Sequence, residues 1–141
     1  MPQPFADDAA RDAFLAEPRL AILITHREGQ PPMGVPVWFE WTGSQVRMFA
    51  ARGSAKLRRI ERDPQVSVLV TNRVGESEAW VAFDGELKVT EDDATDLVCR
   101  LGERYWDVSN PEVRKTLDAL VTAKDAFASL SLTPSRIRSG A

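Results

Sequence analysis

Ala51-Arg52-Gly53-Ser54-Ala55-Lys56 is the stretch on which the reading of this chain turns. It closes a strand-like run, Gln45 to Ala51, and opens a short basic helix. A helix N-terminus leaves backbone N–H groups unpaired and carries partial positive charge. Ser54 adds a hydroxyl there, Lys56 an ammonium and Arg52 a guanidinium, a set that suits a phosphate. The same residues have a plainer use, Ser54 as a helix N-cap and Lys56 as a solvated side chain. On the motif alone the plainer use is the better reading. The flanking sequence has to decide.

Downstream, the helix is expected from Ser54 to Arg62, with Leu57 and Ile60 packed inward and Arg58, Arg59 and Arg62 toward water. Asp63-Pro64 ends it. Val66 to Thr71 reads as a buried strand from its Val-rich run. A loop at Asn72 to Ser77 leads to a strand at Glu78 to Phe83, and Gly85 marks a bulge or close backbone approach before Glu86 to Val89. Upstream, Val46, Met48 and Ala50 share one face of the strand that ends at Ala51. Thr42-Gly43-Ser44 turns back to a strand at Val35 to Trp41, entered through Pro31-Pro32. Pro36 has no N–H to give a ladder, so that strand should be an edge or irregular there. Arg27-Glu28-Gly29-Gln30 is a hairpin turn after a strand at Leu20 to Thr25. Asp7 or Asp8 caps a first short helix carrying Phe14 and Leu15, and Pro18 bars its continuation.

The C-terminal third has helical spacing. Thr90 with Asp93 has the form of a capping box before Ala94, Leu97, Val98, Leu101 and Tyr105. Asn110-Pro111 starts a second helix with Val113, Leu117, Leu120 and Val121 on its apolar face. Phe127 to Leu132 reads as the last strand, and Thr133-Pro134 bends the tail. The fold class is therefore mainly β with peripheral α: an antiparallel barrel of six to seven strands joined mostly by short turns, with flanking helices.

Composition narrows the function. With 141 residues, one domain spanning 1–141 is expected. The net charge of −3 gives no overall attraction to nucleic acid or to a membrane surface. The single cysteine, Cys99, rules out an internal disulfide and reads as an inert helix residue. No run is apolar and long enough to span a bilayer and no signal-peptide pattern opens the chain, so a cytoplasmic protein is expected. With His26 as the one histidine there is no Ser/His/Asp order and no metal-ligand cluster, and a haem would have His26 alone as axial ligand. No catalytic side chain and no metal ligand is named.

The order of motifs adds what no single motif carries. A strand with Pro36-Val37-Trp38-Phe39, a hairpin, a second strand, Gly53-Ser54-x-Lys56, a basic helix, Asp63-Pro64-x-Val66-Ser67 and a hairpin ending in Gly85 follow in sequence. This resembles the pyridoxamine 5′-phosphate oxidase-like flavin-binding split-barrel superfamily, over roughly Phe14 to Val89, with a looser echo at Leu130 to Arg138. The resemblance implies a split barrel and a homodimer with FMN at the subunit interface. It implies that Val35, Pro36, Val37 and Trp38 run along the isoalloxazine ring, largely through backbone atoms. Phe49 and Ala50 match a pair close to the cofactor, Ser54, Ala55 and Lys56 match the phosphate-binding segment with Arg52 beside it, and Trp80 matches a contact on a later strand.

Two departures bear on activity. The oxidase itself has basic residues where Phe39 and Ala55 stand, and its C-terminal arginine segment is matched only loosely by Pro134-Ser135-Arg136-Ile137-Arg138. The resemblance therefore points to the small relatives that use FMN, or alternatively a deazaflavin coenzyme, on other small organic substrates. The cofactor would carry the redox chemistry while the protein binds and orients it. On that reading Trp38, Phe49 and Trp80 line the substrate side. A non-catalytic flavin carrier, stress protein or sensor is the alternative.

Overall fold

Alternation sets the sheet. β1 (Ala21–Thr25) buries Ala21, Leu23 and Thr25 and turns Ile22 and Ile24 outward. β5 (Gln65–Thr71) buries Val66, Val68 and Val70, and pairs antiparallel with β1 from Ala21 opposite Val70 to Thr25 opposite Val66. A period of two with β-branched residues on the inner face is what a half-buried strand requires. The computed structural model describes residues 3–90, 94–123 and 125–141. Among these are eight strands, all paired antiparallel, in a curled half-barrel sheet with four helices.

The remaining strands are β2 (Met33–Val37), β3 (Glu40–Trp41), β4 (Val46–Ala51), β6 (Trp80–Thr90), β7 (Phe127–Leu132) and β8 (Arg136–Gly140). Their order in the sheet is β2-β1-β5-β6-β7-β4-β3, with β8 also on β6. Pro36 sits on β2, an edge strand, as its missing N–H demands. β6 joins the two halves. Its residues from Trp80 to Glu86 pair with β5, while Leu87 to Thr90 pair with β7. Val68, Phe83, Met48, Leu130 and Leu132 from both halves meet in one buried cluster.

Three sequence expectations change. The two strands expected at Glu78 to Phe83 and Glu86 to Val89 are one continuous β6. Gly85 does not interrupt it; a Cβ there would lie 2.9 Å from Leu132 Cδ1, so the glycine permits close approach instead. The strand expected at Val35 to Trp41 breaks into β2 and β3, because Phe39 leaves the ladder to bury its ring completely. The tail after Pro134 is a strand rather than a bend alone, since β8 pairs with β6 from Arg136 opposite Asp84 to Gly140 opposite Trp80.

The helices cover the margins. α1 (Asp8–Ala16) is capped by Asp7, which accepts from Ala10 N–H at 2.8 Å. α2 (Ala55–Arg62) buries Leu57 and Ile60. α3 (Thr95–Tyr105) has Ala94 at its N-cap with no side-chain cap; the expected Thr90–Asp93 box involves Asp93, outside the described residues. α4 (Pro111–Thr122) starts on Asn110, which accepts from Glu112 N–H at 3.0 Å. Gly102 lets α3 and α4 touch, as a Cβ there would lie 2.3 Å from Leu117 Cδ1. No helix among the described residues is long and apolar enough to cross a membrane.

Candidate functional site

The break between β2 and β3 builds the main groove. Phe39 turns into the core, and its N–H, which has lost a ladder partner, donates to Tyr105 Oη at 3.2 Å. The Tyr105 hydroxyl donates in turn to the Arg19 carbonyl at 2.7 Å. The end of α3 is thereby tied to the residue before β1 and to the strand break. Trp38, next to Phe39, lies flat on the Tyr105 ring at 5.3 Å between centroids and 5° between planes. Trp106 meets it edge-on at 4.9 Å, and Phe49 of β4 does so at 6.1 Å. Phe127 of β7 meets Phe49 at 5.2 Å. Such offset and edge-on contacts hold aromatic rings in fixed relative positions.

Trp38, Phe49, Trp106 and Phe127 line a groove of about 480 Å³, together with Pro36, Val37, Leu20 and Leu120. Among the described residues, Lys56 is the one charged residue in its lining. α2 places it there. Gly53, at φ +75°, takes a left-handed conformation that turns the chain out of β4, and Ser54 N–H closes the turn on Ala51 O at 3.2 Å. Ser54 Oγ then accepts from Leu57 N–H at 3.2 Å, so Ser54 is the N-cap of α2. Lys56 stands in the first turn, half-buried, with no hydrogen bond or ion pair from its ammonium among the described residues. Burial pushes its pKa below the ordinary value of 10.5, and the Arg59 charge adds to that. An unpaired cation in an apolar, aromatic groove has the character of an anchor for an anion.

The structure brings five of the sequence candidates to this groove: Pro36, Val37, Trp38, Phe49 and Lys56. Val35 and Ala50 point into the core instead. Arg52 and Ser54 lie in the turn from β4 into α2 and Ala55 is the first residue of that helix; Arg52 N–H donates to Ala126 O at 3.0 Å. Trp80 is elsewhere. It faces outward from β6 in a second depression of about 470 Å³, with Ile24, Leu69 and Ala82. Arg138 borders that depression and holds Asp84 through Nε–Oδ2 at 2.7 Å and Nη2–Oδ1 at 2.8 Å. This hydrogen-bonded pair keeps the Asp84 carboxyl below its ordinary range.

Trp106, Phe127, Leu20 and Leu120 were not among the candidates read from sequence. No sequence signal marks Leu20, which the structure leaves 54% exposed just before β1. The others come from helices and a strand distant in the chain. Cys99 is half-buried with its Sγ 3.5 Å from Glu103 Oε1, and burial raises its pKa, which disfavours the thiolate. No group of three metal-ligating side chains exists among the described residues.

A family profile described as pyridoxamine 5′-phosphate oxidase matches residues 7–139. No curated protein matches the chain. Among solved structures, a conserved hypothetical protein from Mycobacterium tuberculosis is similar with a TM-score of 0.72 at 20% identity, over 99% of this chain and 89% of that one. A protein described as an F420 reductase is similar with a TM-score of 0.72 at 18% identity, over 98% of each chain. A FAD and heme binding protein from Mycobacterium smegmatis gives 0.67 at 22% identity, over 94% of this chain and 70% of that one. At these identities the structural likeness shows the fold.

Proposed function

Since the chain belongs to the pyridoxamine 5′-phosphate oxidase family, we propose that it is a flavin-dependent oxidoreductase that holds FMN beside Lys56 and acts on a small organic molecule. The observation that carries this reading is the unpaired, partly desolvated Lys56 ammonium in a groove otherwise walled by aromatic and aliphatic side chains. That donor set fits a planar ring bearing a phosphate. Lys56 would neutralise the phosphate, with the open N–H groups of Ala55 and Lys56 at the start of α2 beside it. β2 pairs only with β1, so its free edge near Pro36 and Val37 offers backbone groups to the ring. Trp38, Phe49 and Phe127 exclude water from one side. When bound, a flavin supplies two-electron transfer; the protein contributes binding, orientation and a dry wall, and we assign no catalytic side chain.

A deazaflavin coenzyme is the second reading, because it also places a phosphate beyond a tricyclic ring, and the likeness to an F420 reductase favours it. We also place a second copy of the chain on the outward face of β1, β5 and β6, where Ile24, Leu69 and Trp80 lie over Ala82 in a depression whose described lining includes no helix residue. Gly34 of β2 shares that face with Ile22, so the groove at Pro36 opens at its margin. A dimer closing there would complete a site too shallow to enclose a large cofactor in one subunit.

The test is titration of wild type and Lys56→Ala with FMN and with the deazaflavin coenzyme. Loss of a charge-assisted hydrogen bond to phosphate costs about 1.5–3 kcal/mol, roughly ten- to a hundredfold in affinity. Unchanged affinity for both cofactors would show Lys56 to be a surface lysine and overturn the assignment. Stopped-flow reoxidation of the reduced holoprotein by quinones and enones, no faster than free reduced cofactor, would leave it a carrier rather than an enzyme.

A further inference from the structure

Trp106 lines the groove from the connection between α3 and α4, and the flavin reading gives it no task. Its position is fixed from both sides. It is the first residue after α3, and its backbone N–H donates to Gly102 O at 2.9 Å. The two residues before it clamp that end of the helix. Tyr105 is tied to Phe39 and Arg19, and Arg104 donates to the carbonyls of Leu15, Ala16 and Glu17 at 3.0, 2.6 and 2.9 Å. After it, Asn110 N–H donates to Asp107 O at 3.2 Å and closes the turn into α4. The Trp106 ring stands edge-on to Trp38 at 4.9 Å. A group held in this way loses little freedom when a ligand arrives.

Two donors in this part of the groove are unused. The indole N–H of Trp41 donates to Asp12 Oδ1 at 2.8 Å, whereas those of Trp38 and Trp106 make no hydrogen bond among the described residues. Both residues are half-buried, but neither indole nitrogen is sealed from solvent. A sheltered indole N–H normally finds a partner. Positive charge is lacking here. Arg100 is held by Glu40 at 2.7 and 3.2 Å, Arg104 is spent on the end of α1, and the neighbour of Trp106 is the acidic Asp107. Lys56 is the one cation among the described lining residues, and the proposed cofactor phosphate takes it.

We propose that Trp106 selects the substrate, donating from its indole N–H to a carbonyl of a flat, uncharged ring compound of the quinone class. The aromatic walls suit a flat ring, and an in-plane carbonyl oxygen suits an indole donor. A substrate carboxylate or phosphate would find no second cation and would be desolvated without compensation. That this ligand is the substrate rests on the flavin reading; that it binds at Trp106 does not. As substrate, the quinone gains a hydride from reduced flavin and a proton from solvent, and leaves as the hydroquinone.

The experiment uses the full chain without flavin. Nitrogen-15-labelled wild type is titrated with duroquinone, whose fully methylated ring cannot alkylate Cys99, and separately with durene, which has the same shape and no carbonyl. Trp38→Phe and Trp106→Phe assign the two indole N–H signals. The expected result is saturable duroquinone binding that shifts the Trp106 Nε1–H signal, with no such shift from durene. Binding should weaken about three- to tenfold in Trp106→Phe, which keeps an aromatic edge and loses the donor. The comparison of the two probes on wild type decides the matter if that variant melts early. Absence of saturation by duroquinone, an equal Trp106 shift from both probes, a shift at Trp38 alone, or unchanged affinity in a folded Trp106→Phe overturns the proposal. Because no flavin is present, failure here is distinct from failure of the Lys56 titration.

Discussion

Tyr105→Phe tests whether the groove is held open by one hydroxyl. The substitution keeps the ring that stacks on Trp38 and removes only the oxygen that accepts from Phe39 N–H at 3.2 Å and donates to Arg19 O at 2.7 Å. Both backbone groups lie at places where the ladder has ended, Phe39 between β2 and β3 and Arg19 just before β1. Neither can shift to a strand partner. Two hydrogen bonds at about 1 kcal/mol net each, plus part of the cost of leaving a sheltered N–H unpaired, give a destabilisation of about 2–3 kcal/mol. For a chain of this length about 4 °C per kcal/mol follows, so the melting temperature should fall by roughly 8–12 °C. Differential scanning calorimetry reads this directly, and near-ultraviolet circular dichroism checks that the Trp38 stack survives. A fall of under about 2 °C would mean that water or a neighbour satisfies both groups. The argument that Tyr105 pins the strand break would then be wrong.

Two further outcomes are expected. Asp84 has its pKa depressed below the ordinary 3.8, first by the Arg138 hydrogen bonds and also by Ser67 Oγ at 2.6 Å. A depressed carboxyl contributes stability that is complete above its unfolded pKa and lost as pH falls through the folded one. Asp84→Asn should therefore be less stable than wild type at neutral pH, with the gap closing below pH 3.8 in denaturant melts; an equal gap at all pH values would contradict this. Sedimentation should give a dimer for the wild-type chain and a monomer for Leu69→Arg, which puts a charge in the uncovered face of β5; a wild-type monomer would remove the second copy from the proposal.

Much of this was legible in the residues. Ser54 as a helix start, Leu57 and Ile60 as its buried pair, Pro36 on an edge, and the helix start at Asn110-Pro111 are local events, decided by capping, periodicity and a missing N–H. The same holds for the alternation of Val46, Met48 and Ala50. Such features depend on neighbours within a few positions, which a sequence displays. The order of those features also carried the family.

The rest depended on contacts between distant segments. Phe39 breaks a strand whose pattern reads as continuous, because a ring-sized space in the core outweighs two ladder bonds. Gly85 reads as an interruption, yet β6 runs through it, since the neighbour it admits, Leu132, is 47 positions away. β8 is invisible in a polar tail because its bonds are supplied by β6. The groove unites Trp38, Phe49 and Lys56 with Trp106, Leu120 and Phe127, which share no motif with them, while Trp80 faces another surface. Local chemistry thus determined which residues turn, cap and alternate. Only the folding of the sheet onto its helices decided which side chains share a wall, because that depends on through-space packing that periodicity along the chain does not encode.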